Sequence, residues 1–245
     1  MNGISIKLLG MNDSLEPRQI DNKTITEKLH DIHCQYVLHE NIWNNNTFLE
    51  EIPEQKMVVR YLTGDEKVLE IGSNIGRNTI IIGHILQQRN NKNFVSLESS
   101  PQIFPYVVEN VKINNISCHN ENSALSKRPL IQTNTDTIVV TENTLIPKDS
   151  FTVNVITYEE LLHKYQIIFD TLILDCEGAF YYILMDMPEI LTNINLIIME
   201  NDYGDFSHKQ YIDGVLKNNG FRVDYVEAGG WGPCFHCFFE VWVRT

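Results

Sequence analysis

The sequence predicts an α/β fold of the doubly wound type: a mostly parallel sheet with helices on both faces. Three observations predict it. The run Val68-Leu69-Glu70-Ile71 is short and apolar, ends at the glycine turn Gly72-Ser73-Asn74-Ile75-Gly76, and opens into a helix-like segment from Arg77 to Gln88. A second run, Phe94-Val95-Ser96-Leu97-Glu98, stands where the next parallel strand belongs, roughly twenty residues on. Beyond it, apolar strand-like runs alternate with helix-like segments, the rhythm of right-handed β-α-β crossovers.

The elements follow in order. Residues 1–60 form a helical N-terminal extension, too short for a separate domain. Thr24 or Thr26 caps a helix through Leu29, Ile32 and Val37, and a second helix runs from Glu50 to Leu62. This extension is expected to pack on the sheet and to cover the active site as a lid. The main domain, 61–245, begins with strand 67–71, helix 76–88, strand 94–98, helix 101–114 and strand 117–122. Pro101 suits a first helical turn. A different texture occupies about 130–156: Thr137-Ile138-Val139-Val140 and Thr152-Val153-Asn154-Val155 flank Pro147-Lys148-Asp149 and read as a hairpin-like insertion. The rhythm resumes with helix 157–164, strand 168–174, a short helix near 179–185, strand 194–200, helix 207–219 and strands 221–227 and 235–243. Gly220 suits the position just past a helix end. The last two strands are close enough in sequence to pair antiparallel, which makes a seven-stranded sheet with an antiparallel last strand.

Composition narrows the partners. A chain of 245 residues with 43% hydrophobic content supports one α/β domain with a substantial core. A formal net charge of −13 argues against nucleic acid as the main partner, because phosphate binding needs basic density. No segment is long and apolar enough to span a bilayer, and Met1-Asn2-Gly3-Ile4-Ser5-Ile6-Lys7 lacks a signal-peptide pattern. Five cysteines, an odd count, fit a reduced state and a cytoplasmic setting.

The glycine turn carries the chemistry. Gly72 can adopt positive φ or admit a ligand close to the backbone. Gly76 lets the new helix pack against the sheet, and the free N–H groups at that helix start favour a carboxylate or another anion. Glu70 can accept from a cationic amine. These features suit a ligand with a ribose and a charged tail. The dinucleotide fingerprint G-x-G-x-x-G is absent; E-x-G-x-x-x-G instead looks like motif I of S-adenosylmethionine-dependent methyltransferases. A purely structural turn is the plain alternative. Glu98, at the end of the second strand, fits the acid that binds ribose hydroxyls. The competing reading is a solvated strand-end carboxylate. Asp175 and Glu177 follow one later strand, and Glu200 and Asp202 follow the next. So many carboxylates at one sheet edge need compensation from a sulfonium, a divalent metal or raised pKa values.

These segments resemble the FkbM-type S-adenosylmethionine-dependent methyltransferases, mostly O-methyltransferases of glycans and secondary metabolites, over roughly residues 57–226. The similarity rests on the Val68–Gly76 turn and on Leu97-Glu98-Ser99-Ser100-Pro101. It continues through Val108-Glu109-Asn110-Val111-Lys112-Ile113-Asn114-Asn115, Ser123-Ala124-Leu125-Ser126 and Ile156-Thr157-Tyr158-Glu159-Glu160-Leu161-Leu162. Its most specific part is Leu174-Asp175-Cys176-Glu177-Gly178-Ala179, and Asn219-Gly220-Phe221 closes it. The chain departs from the family at Ile173, where Lys is frequent, at Phe180, where Glu is usual, and at Ser99, where Pro is frequent. The resemblance implies a Rossmann-like class I methyltransferase fold. It implies that Glu70, Gly72, Ser73, Asn74 and Gly76 contact the methionine part of S-adenosyl-L-methionine, that Glu98 holds the ribose and Ser99 lies beside the adenine. Ser123 and Ala124 would border the adenine pocket, and Asp175 and Glu177 would face the transfer site.

A sugar or small-molecule hydroxyl is a poor nucleophile, so methyl transfer to it gains from a general base. Asp175, Glu200, Asp202 and His208 are the candidates, an exposed helix-start histidine being the plain alternative for His208. Two readings compete with metal-free transfer. In one, Asp175, Glu200 and Asp202 bind Mg²⁺ and orient vicinal hydroxyls. In the other, the chain binds the donor without turnover. Tyr203, Phe206, Tyr211 and Trp231 are candidate sugar platforms. Cys234 and Cys237 are half of a zinc site that His30, His33 and Cys34 could complete, though core packing explains them more simply.

Overall fold

The computed structural model describes residues 22–39, 47–133 and 137–245. Met1–Lys7 lie outside them. In chain order the elements are α1 (Asn22–His33), a 3-10 turn (Phe48–Glu51), α2 (Ile52–Tyr61), β1 (Val68–Ile71), α3 (Arg77–Gln87), β2 (Phe94–Leu97) and α4 (Phe104–Ile113). There follow β3 (His119–Glu121), β4 (Ala124–Leu125), β5 (Leu130–Gln132), β6 (Thr137–Val139), β7 (Phe151–Val153), β8 (Val155–Ile156) and α5 (Tyr158–Tyr165). The chain then forms β9 (Thr171–Leu174), α6 (Ala179–Asp186), a 3-10 turn (Pro188–Leu191), β10 (Leu196–Glu200), α7 (Phe206–Asn218), β11 (Phe221–Glu227), a 3-10 turn (Gly232–Cys237) and β12 (Phe239–Arg244).

β1, β2 and β9 are buried at every position. Strands covered on both faces have no polar side to turn to water, and a parallel sheet between helix layers is the arrangement that hides them. The seven-stranded sheet has the order β11-β12-β10-β9-β1-β2-β3. β12 alone runs against its neighbours β10 and β11. The fold is Rossmann-like, as expected. The parallel register sets Leu97 opposite Ile71, Ile71 opposite Leu174, and Leu174 opposite Met199. The residues just beyond them, Glu98, Gly72, Asp175 and Glu200, therefore emerge along one edge.

Several local expectations need correction. α1 starts at Asn22, so Thr24 and Thr26 are interior rather than caps; the Thr26 hydroxyl donates to the Asn22 carbonyl. The helix ends at His33, and Val37 lies exposed beyond it. Pro101 sits in the turn before α4, whose first turn holds Pro105 instead. β6 and β7 do not pair as a hairpin. Each pairs antiparallel with β5, a strand not expected from the sequence, which becomes the centre of a three-stranded sheet. β12 starts at Phe239 because Gly232–Cys237 forms a 3-10 turn.

Candidate functional site

A cavity of ≈ 1170 Å³ opens at the strand ends. Among the residues expected to bind a ligand, Gly72, Asn74, Glu98, Ser99, Ser123, Ala124, Asp175, Glu177 and Asp202 line it. Glu70, Ser73, Gly76, Glu200 and His208 do not.

The glycine turn is shaped by close packing. Gly72 has φ +89°, and a Cβ there would lie 1.7 Å from the carbonyl oxygen of Asp175. Glycine thus lets the β1 loop touch the β9 loop. Gly76 has φ +93°, and its missing Cβ leaves room for Val107 of α4; the sequence reading gave that role to the sheet. Ser73 Oγ and Asn74 Oδ1 are buried without a hydrogen-bond partner. Such orphaned atoms carry a desolvation cost that a ligand can relieve.

Glu70 lies beneath the loop, 2% exposed, accepting from Thr79 Oγ1 at 2.6 Å and Ser96 Oγ at 2.7 Å. Its Oε2 ties β1 to α3 and β2, while its Oε1 is buried without a hydrogen-bond partner. Burial pushes its pKa up to about 7, against the help of both hydroxyls. Glu98 accepts from the backbone N–H of Asn74 at 2.9 Å and of Ser100 at 2.7 Å. The backbone N–H of Ser99 also donates to it, and since a carboxylate has about four lone-pair sites, capacity remains for a hydroxyl. Burial raises Glu98 to about 7 as well.

The anion site expected at the start of α3 is filled from within the chain. Glu51 accepts from the backbone N–H of Asn78 and pairs with Arg77 at 2.9 Å. Arg77 also holds Glu50 and the Thr47 carbonyl. The 3-10 turn before α2 is thereby latched to the helix start. None of the described residues before β1 lines the cavity, so the expected lid does not cover it there.

The carboxylates divide into two groups. Asp202 shares a hydrogen bond with Glu177, and burial followed by that contact pushes Asp202 up to about 7. Asp175 and Glu200 converge instead on Glu54 of α2, each offering an oxygen within 4.8 Å of the others. Asp202 is thus not the third member of the expected metal set. Burial, and then neighbouring carboxylates, raises Glu54 to about 8, Glu200 to about 9 and Asp175 well above its ordinary value. No sequence signal pointed to Glu54, because only the tertiary fold brings α2 to the end of β10.

His208 stacks on Tyr181, with ring centroids 3.8 Å apart, and has Tyr182 and Tyr203 edge-on. It belongs to an aromatic cluster between α6 and α7. Of the four aromatic platforms only Trp231, 56% exposed, lines the cavity. Tyr203 is buried, and Phe206 and Tyr211 lie elsewhere. Tyr182, not anticipated, joins Trp231 at the wall, backed by Arg128, which makes a two-pronged ion pair with Asp186. The β5–β7 sheet forms another wall, tied to the rim by Gln132 Nε2 donating to Ser99 Oγ at 3.0 Å. Among the described residues no metal-like grouping includes Cys234 or Cys237. Cys234 is buried, and His33 is engaged with Gln55.

Known proteins complete the description. No family model matches the chain, and no curated protein matches its sequence. Solved structures do. The ribosomal protein L11 methylase from Lactobacillus delbrueckii subsp. bulgaricus aligns with a TM-score of 0.48 and 15% identity, over 79% of this chain and 77% of that one. The O-methyltransferase from Bacillus cereus in complex with SAH gives 0.47 and 13%, over 93% of each chain. TYW2 of M. jannaschii in complex with AdoMet gives 0.42 and 14%, over 80% and 76%. The likeness is one of fold.

Proposed function

We propose that the chain is an S-adenosylmethionine-dependent O-methyltransferase of the FkbM kind, acting on a hydroxyl of a sugar or small metabolite. One observation carries the reading: the cavity gathers a glycine turn with orphaned polar atoms, the ribose-type acid Glu98 and a carboxylate pair, Glu177–Asp202. The residues fit the donor. Glu98 has capacity left for a ribose hydroxyl. Asn74, at the cavity wall, has unmet hydrogen-bonding capacity for the polar methionine end, and Ser73 beside it in the turn has the same behind the wall. Ser99, Ser123 and Ala124 border the space left for the base. The bound donor supplies a methyl carbon on a sulfonium.

The protein's own task is then to hold an acceptor oxygen close and in line and to take its proton. Asp202 suits that second step. It lines the cavity, and a pKa raised to about 7 makes it a base matched to neutral pH. Glu177, hydrogen-bonded to it, receives part of the proton's charge. Asp175 is less suited, because burial, and then the carboxylates around it, favour the protonated form. Glu200 and His208 stand outside the cavity. Trp231 and Tyr182 give faces on which a sugar ring stacks, and the walls limit water.

Calorimetry with S-adenosylmethionine, followed by a labelled methyl-transfer screen over sugars and small hydroxylated metabolites, tests the proposal. Absence of binding heat overturns it. Binding without transfer to any hydroxyl acceptor favours the donor-binding module.

A further inference from the structure

We propose that Glu54, Asp175 and Glu200 form a site for one hard divalent cation, Mg²⁺ or Mn²⁺, beside the cavity. The three residues come from separate elements: α2, the turn after β9 and the end of β10. Each presents one carboxylate oxygen, and these oxygens lie within 4.8 Å of one another. That span approaches the distance two oxygens take across one such ion, since Mg–O bonds run about 2.0–2.1 Å and the larger oxygen-bound cations reach about 2.6 Å. An all-oxygen, all-carboxylate donor set selects hard cations over zinc or copper.

A separate observation points to a ligand. Glu54 is 8% exposed, its Oε2 is buried with no N–H or hydroxyl donor, and the only side-chain partner of its carboxyl is another acid, Glu200. A buried carboxylate oxygen with nothing to accept is costly. Asp175 lines the cavity and Glu200 is half-buried, so the group is open to an ion from solvent. The site does not depend on which group the cavity methylates.

Titration of the metal-free protein with Mn²⁺, followed by electron paramagnetic resonance and calorimetry, tests the site. Expected is saturable binding of one ion per chain. Losing a partner that merely orients a ligand weakens metal sites about 10–100-fold, so Glu54→Gln should weaken binding by at least about tenfold. Glu142→Gln, an exposed acid on the insertion, should leave it unchanged. Mn²⁺ should also raise the melting temperature of the parent protein but not of Glu54→Gln. Should Glu54→Gln fail to fold by circular dichroism, Glu200→Gln gives the same reading. Absence of saturable binding, or equal affinity in parent and variant, overturns the site and leaves three acids that share protons.

Discussion

Asp202 illustrates how much one side chain's surroundings decide. A free aspartate is ionised well below neutrality and is a feeble base. Here burial and the contact with Glu177 hold its pKa near 7. If it takes the acceptor's proton, kcat/KM rises with pH up to about 7 and levels off above it, since only the ionised form accepts a proton. Asp202→Asn should lower kcat by about 10²–10⁴-fold with donor affinity unchanged, and should abolish that rise. A variant that keeps the pH profile removes Asp202 from the proton path. Gly72 is decided by space. Its φ of +89° and the carbonyl oxygen of Asp175 leave no room for a methyl group. Gly72→Ala should therefore destabilise the chain by roughly 2–4 kcal/mol, combining backbone strain with a forced separation of the β1 and β9 loops. Equilibrium urea unfolding measures it, and a loss below about 0.5 kcal/mol would mean the loops part freely.

At the scale of elements, α5 owes its start to local chemistry. Thr157 Oγ1 accepts from the backbone N–H of Glu160, and the Glu160 carboxylate accepts in return from the backbone N–H of Thr157. This reciprocal cap satisfies two donors that a helix end leaves open. Thr157→Ala should cost about 1 kcal/mol, read as a lowered urea midpoint with an unchanged slope. Such features are legible because they are local: a Thr three residues before a Glu, an apolar run before a glycine turn. The parallel strands and the helices between them were readable on that basis, and so was the cavity edge with Gly72, Glu98 and Asp175. β5 was not, because Leu130-Ile131-Gln132 is short and its strand character comes from the two partners that flank it. Glu54 and Glu51 escaped for the same reason. A carboxylate on an amphipathic helix looks like a solvated residue until the fold turns it onto a strand end. Glu70 carries a role its motif does not announce: its Oε2 joins β1, α3 and β2, while its Oε1 stays buried and unpartnered.

For the molecule as a whole, burying acids in a chain of net charge −13 sets how stability depends on pH. Glu70 and Glu98 are raised by burial from an ordinary value of 4.5 to about 7. Between those limits the folded state holds protons that the unfolded chain has released, so the stability these two groups allow is fully present below 4.5 and is lost as pH rises through 7. A shift of that size is worth on the order of 3 kcal/mol per group. Glu121 and Asp186 work the other way. Burial is opposed at Glu121 by Lys164, Tyr165 and Ser123 together and at Asp186 by Arg128, so both pKa values are lowered, and their contribution is present above the ordinary carboxylate value and fails in stronger acid. The two trends cross at mildly acid pH. The free energy of unfolding, measured by urea without divalent cations, should be larger at pH 5.5 than at pH 8. Glu70→Gln, which keeps an acceptor for Thr79 and Ser96 but cannot ionise, should flatten that slope markedly. A stability that rises from pH 5.5 to 8, or a slope unchanged in Glu70→Gln, would mean that this carboxylate ionises under the glycine turn without cost, and that the turn is wetter than its burial implies.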